Sequence, residues 1–410
     1  MKRARLPLLA VLPATVISFV VAVPFVAGDH PLRWESGSLL PELVLKGGDG
    51  PRSGDTPGSD HDGTTGPSPA RTEQVARVDK EWKKGMPQWG IQIYWEDDPR
   101  HSPEYIEKQA RLQADYLVGL HANSVSLSFP FFTGDRTSTK ISAGDRTPTA
   151  KRLGEVLRIF HEAGLRTTVR PLMDEDSLEA EDGWRGNVKP ADRDAWFAAY
   201  QRFLTPYLKA ANAEKATTFV IGTELNSLEG DSRWNRLVDD AERLFDGEVS
   251  YDANWDNYVH GPISMPVSHL GVDAYFPVKV ADDATIGALV DGWNAWLDKK
   301  STGDLPKITI AEAGIGAMDG AYHAPGDFYN KRPLNPTVQA NWYTAVCKVV
   351  QERRMSGVYW WSIYFDDDPN TKPDDKVASR LDFAGRPLSE KAITSCFTSD
   401  YAGPGTDTAS

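Results

Sequence analysis

The feature that most constrains this chain is an alternation: eight short strand-like runs separated by longer amphipathic ones. The short runs are WGIQIYW from Trp89, NSVSLSF from Asn123, RTTVRPL from Arg166, TTFVIG from Thr217, GEVSYDA from Gly247, HLGVDAYF from His269, KITIAEAG from Lys307 and GVYWWSIY from Gly357. Several are almost continuously apolar, as strands covered on both faces must be. Between them, stretches such as SPEYIEKQARLQADYLVGL, AKRLGEVLRIFHEAGL and PTVQANWYTAVCKVVQERR have the length and apolar spacing of helices. Ser102 reads as the N-cap of the first and Gly164 as the stop of the second. Such alternation builds a parallel sheet. Eight units predict closure into a single (β/α)8 TIM barrel, an α/β fold. The fifth strand and the helix after it carry the weakest pattern.

The chain has 410 residues, and one barrel of ordinary size uses most of that length. We assign the barrel to residues 81–398. Ahead of it, residues 1–28 place Lys2, Arg3 and Arg5 before an apolar run from Leu6 to about Ala27, the form of an export signal. The run is long enough to span a bilayer with its basic flank in the cytoplasm, and Ala22, Ala27 and Gly28 equally suit a cleaved signal peptide. Either way the rest of the chain is expected outside the cytoplasm, membrane-anchored or secreted. Residues 29–80 are rich in Gly, Pro, Ser and Asp and read as a flexible stalk, with LLPELVL an isolated apolar island. Residues 399–410 read as a disordered tail. No internal repeat is evident.

A net charge of -13 argues against a partner bound by neutralising nucleic-acid phosphates. The 13 tryptophans are mostly expected in the core, although a flat aromatic face also suits a sugar ring. The two cysteines, Cys347 and Cys396, have no metal-ligand spacing. A disulfide between them requires the last two helices to be neighbours. The eight histidines form no HxH or HExxH pattern, which speaks against a metal-dependent barrel hydrolase. No metal or organic cofactor is implied, and a monomer is expected.

In barrels of this kind the chemistry sits at the C-terminal ends of the strands. Glu224 follows TTFVIGT at the end of the fourth strand, and Glu312 follows KITIA at the end of the seventh. A lone strand-end glutamate is usually a capping or solvated charge. Two across one barrel mouth can flank a scissile bond, one as proton donor and one as nucleophile or base. In DEDSLEAEDG, after the third strand, Glu175 and Glu179 are expected to be solvated, with Asp174 or Glu175 within reach of a substrate.

From about Trp89 to about Cys396 the chain resembles glycoside hydrolase family 113 of clan A. The stretch DGWRGNVKPADRDAWFAAYQRFL followed by TTFVIGTEL is similar to that family's approach to its acid/base, and ITIAEAGIG to its nucleophile strand. The resemblance implies a retaining endo-β-1,4-mannanase with Glu224 as acid/base, Glu312 as nucleophile and a polysaccharide as partner. It also implies that Tyr275, in GVDAYFP, hydrogen-bonds the nucleophile. Trp361 would floor a sugar subsite, with Trp360 pointing outward because side chains alternate along a strand. Trp95, Trp184 and Trp255 are candidate ring platforms, and Arg185 and Asn254 candidate partners of sugar hydroxyls. Two departures touch specificity. Thr223 stands where many clan members have Asn, and the third strand ends in RPLMDED rather than a Pro-His pair, which places Arg170 and Met173 at the substrate rim. A carbohydrate-binding barrel without turnover, or a glycosidase for another β-glycan, remains the alternative.

Overall fold

The computed structural model describes residues 74–178, 183–299, 308–328, 330, 332–373 and 380–405. The apolar leader, the stalk up to residue 73, Glu179 and residues 406–410 lie outside that set. Among the described residues no helix is long and apolar enough to cross a membrane.

Eight parallel strands close on themselves: β1 (Gln88–Tyr94), β2 (Ser124–Thr133), β3 (Arg166–Met173), β4 (Thr218–Thr223), β5 (Glu248–Asn254), β6 (His269–Asp273), β7 (Thr309–Ala313) and β8 (Gly357–Tyr364). Each pairs with the next, and β1 pairs with both β2 and β8, so the barrel has no open edge. A two-residue strand, Ile141–Ser142, adds antiparallel to the outer end of β2. Closure brings Gly357 against β1, where its φ of 147° and the carbonyl of Gln88, 2.2 Å from a notional Cβ, leave room only for glycine.

The helices are α1 (Pro103–Gly119), α2 (Ala150–Glu162), α3 (Arg193–Ala213), α4 (Arg233–Glu242), α5 (Trp255–His260), α6 (Ile286–Leu297), α7 (Pro336–Glu352) and α8 (Pro387–Phe397). Ser102 caps α1 by accepting from the Tyr105 N–H, and Gly164 ends α2 with a φ of 76°. The weak fifth unit has a physical reason: α5 spans six residues, too few to show a helical period. Between strands and helices lies a core in which Trp196, Trp234, Trp293, Trp342 and Trp360 are fully buried.

Cys347 on α7 and Cys396 on α8 form a disulfide, with Cα atoms 5.8 Å apart. Two chain-end expectations shift. The last stalk residues hold to the helices through Ala76 N–H to Asp115 and Val78 N–H to the carbonyl of Ala163. The tail is corrected as far as residue 405: Tyr401 packs 5.9 Å from Trp89 and donates to the carbonyl of Met355, tying this segment under the barrel.

Candidate active site

β3 carries two inward arginines, Arg166 and Arg170, four residues apart and therefore on one face of the strand. Arg166 fills the lower barrel. It donates to Tyr359, Thr168 and Thr218 and pairs with Glu248. Arg170 stands about 13 Å further along the strand and is wholly buried. Its Nε meets Asp252 Oδ2 at 2.7 Å, and its Nη2 meets Asp273 Oδ2 at 2.8 Å and Glu312 Oε1 at 2.6 Å. Its remaining nitrogen donates to Ser128, which donates to Gln92, which donates to the carbonyl of Ala311. One guanidinium thus ties β3 to β5, β6 and β7, and a chain of polar contacts extends to β1 and β2. A charge with no access to water requires such partners.

Glu312 receives a second grip from Tyr275, whose O–H donates to Oε2 at 2.5 Å, the contact the resemblance implies. Burial pushes the Glu312 carboxyl above its usual range and the charge of Glu224 adds to this, while Arg170 and the Tyr275 O–H favour the ionised form. Asp252 and Asp273 are also raised, first by burial. Three carboxylates therefore gather around the Arg170 guanidinium.

Glu224 lies one residue beyond β4 with a φ of 52°, a left-handed conformation that costs a residue with a Cβ about 1 kcal/mol or more. Its N–H bonds the carbonyl of Asp252, which fixes the turn that brings its side chain into the mouth. Arg185 Nη1 meets Oε2 at 2.8 Å and Asn254 Nδ2 donates to Oε1 at 2.7 Å. Arg185 is itself held by the carbonyl of Met173 and by Glu175. Glu224 and Glu312 thus have separate sets of partners and feel one another's charge.

These contacts correct several expectations. Arg170 is not at the rim but beneath it, fully occupied by carboxylates. Asn254 bonds Glu224, and its Oδ1 caps α5 by accepting from the Asp256 N–H. Arg185 likewise pairs with Glu224 rather than standing free for sugar hydroxyls. Trp95 presents no ring face to a ligand: it is fully buried and stacked 4.5 Å from Phe365. Glu175 and Asp174 are not solvated charges; Asp174 is buried and pairs with Arg146 at 3.2 Å. Trp361 faces the site, with the Arg170 guanidinium 5.8 Å from its ring, while Trp360 packs outward on Tyr343. The peptide between Trp361 and Ser362 is cis. Trp184 lies over Gly186 and Trp255 packs edge-on against Trp296, and both remain partly exposed. The Thr223 hydroxyl is buried without a partner among the described residues. Sequence reasoning missed Asp252 and Asp273. Their signal was a carboxylate inside an otherwise apolar strand, SYDA and GVDA, which only a buried cation could compensate.

The family model for Glycoside Hydrolase Family 113 matches residues 98–379. Among solved structures, one described as a GH113 β-1,4-mannanase superposes with a TM-score of 0.63 at 17% identity, covering 77% of this chain and all of its own. The GH113 β-mannanase AaManA from Alicyclobacillus acidocaldarius, in complex with ManMIm, superposes with a TM-score of 0.60 at 19% identity, covering 77% of this chain and 97% of its own. No curated protein matches the chain in sequence.

Proposed function

Because this chain belongs to glycoside hydrolase family 113 and is a glycoside hydrolase, we propose that it cleaves a β-1,4-mannan internally and with retention. The observation that carries this reading is the pair Glu224 and Glu312, each held by its own cation and its own neutral donor. Glu312, kept ionised by Arg170 and Tyr275, attacks C1 of the sugar. Glu224 gives its proton to the glycosidic oxygen, and the C1–O bond breaks. Glu224 then takes a proton from water, whose oxygen attacks C1 and releases Glu312. Trp361 offers the apolar surface against which the sugar at the cut bond lies. Mannan is favoured because the structures of similar fold are described as β-mannanases.

The chain works outside the cytoplasm in this reading. The basic-flanked leader supports that placement, and so does the Cys347–Cys396 disulfide, which suits an oxidising compartment.

The full-length protein assayed on mannan, glucomannan, xylan and β-glucan is expected to cut mannan fastest and to release the β anomer first, as read by NMR. Glu312→Ala is expected to fall to background and Glu224→Ala to lose about 10²- to 10⁴-fold. An inverted first product, or near-normal turnover in either variant, overturns the mechanism. Mannan bound by the wild type without hydrolysis would instead favour a carbohydrate-binding barrel.

A further inference from the structure

A second cavity of about 520 Å³ opens beside the site, at the C-terminal rims of β1 and β8. It shares a wall with the catalytic mouth. Tyr94 lines the cavity and packs 5.9 Å from Trp361, and Tyr364, which also lines it, stands edge-on to Tyr94. A glycan lying on Trp361 therefore reaches this cavity within one or two sugar units. A further aromatic surface comes from His101, whose ring lies tilted 4.0 Å from that of Tyr105.

The charge of this cavity is strongly one-sided. Six carboxylates line it against Arg100 and Arg146, and the cations nearby are already engaged. Arg100 pairs with Asp98 and Arg152 with Asp97, and Arg146 holds Glu96, Asp174 and Asp176. Asp366 has one cationic neighbour, His101 at 3.8 Å, among the described residues, and also accepts from the Tyr105 hydroxyl. The Asp367 side chain has no cation and no donor among the described residues, although its backbone carbonyl is held by Gln109 and Gln113. Burial and the charge of Asp366 push the Asp367 carboxyl up to about 6. A buried polar side chain also borders the space: Tyr94 is 3% exposed, and its hydroxyl, which feels the charge of Glu96, bonds none of the described residues.

We infer that this cavity is a distal subsite that takes a sugar carrying a free amine, its ammonium set against Asp366 and Asp367 and its ring against the tyrosine wall. The substrate class is then a β-linked glycan with cationic amino-sugar units near the cleaved bond. A neutral sugar could donate hydroxyl hydrogens to the same carboxylates but would leave their charge uncompensated. The inference rests on the glycosidase reading for the direction of the glycan, and a binding experiment separates the two.

Binding of a β-1,4-linked glucosamine tetramer, its fully N-acetylated counterpart and mannotetraose is measured by calorimetry on full-length Glu312→Gln protein. The amine tetramer is expected to bind about tenfold tighter than the acetylated one at low salt. That preference is expected to vanish at high salt, where the Debye length shrinks to about 3 Å at 1 M. Adding Asp366→Asn and Asp367→Asn is expected to remove it, and a cooperative urea melt shows that the variant is folded. Equal affinity for the two tetramers, a preference that survives the double Asn change, or no binding of the amine tetramer overturns the proposal. Tight binding of calcium chloride that the same change abolishes would make the cavity a metal site and would also overturn it. Mannan hydrolysis by the wild type, run in parallel, tests the glycosidase reading separately.

Discussion

A proton donor is useful only if it stays aimed at the oxygen it protonates. Glu224 is fixed by both oxygens, Arg185 on Oε2 and Asn254 on Oε1, and its backbone is locked into a left-handed turn. Arg185 therefore acts through Glu224, as a positioning residue. Arg185→Gln is expected to lower kcat on an unactivated glycan by about 10²-fold, as misplacement of a reacting group does. For an aryl mannoside whose leaving group departs without a proton, kcat/KM, which reports only the first step, should hardly change. Equal losses on both substrates would show that Arg185 serves stability rather than the acid. At this scale the sequence was only half readable. Glu224 and Glu312 could be found because each ends an apolar strand. The roles of Arg170, Arg185 and Asn254 could not, because a polar residue at a strand end looks the same whether it faces a sugar or a neighbouring carboxylate. Only the closed ring of strands shows that Arg170 lies between Asp252, Asp273 and Glu312.

The elements themselves were legible for a different reason. Strands buried on both faces are largely apolar, so most of the eight stood out and the polar fifth, GEVSYDA, carried the weakest pattern, while most of the long helices between them repeat the 3.6-residue period. What failed was short or defined by long-range contact: the six-residue α5, and the segment around Tyr401 that is ordered by Trp89 rather than by its own composition. The α7–α8 seam belongs to the second kind, since no local pattern shows that the two helices touch. There the disulfide closes a loop of 49 residues, and chain entropy alone assigns such a loop about 4 kcal/mol. Replacing both cysteines by alanine is expected to destabilise the protein by about 2 to 4 kcal/mol in urea melts, with mannan hydrolysis at 25 °C little changed, because α7 and α8 lie outside the barrel wall. A change below about 0.5 kcal/mol would mean that the helices hold the seam unaided.

The whole molecule carries an excess of acid, with 58 Asp and Glu against 45 Lys and Arg, and it folds several of those acids into places that favour their neutral form. Burial raises Asp382 to about 7, with the charges of Asp367 and Glu390 adding to the effect, and burial also raises Glu96 to about 7. A carboxyl whose pKa is higher in the folded chain than in the unfolded one keeps its proton on folding. Its contribution is full below the unfolded value near 4 and is lost as pH rises through the folded value near 7. These groups therefore make the fold weaken between about pH 4 and pH 7, opposite in sign to the half-buried Asp98, whose pairing with Arg100 holds it below its usual range and gains stability as pH rises from acid. Asp382 isolates the effect, because its Oδ1 accepts the Ala384 N–H, and the carbonyl oxygen of an asparagine can do the same. In Asp382→Asn the stability loss from pH 4 to pH 8 is expected to be smaller than in the wild type by on the order of 3 kcal/mol. The two proteins should be nearly equal at pH 4 and the variant more stable at pH 8. Urea melts across that range check this, and parallel curves would mean that Asp382 is ionised in the folded protein throughout.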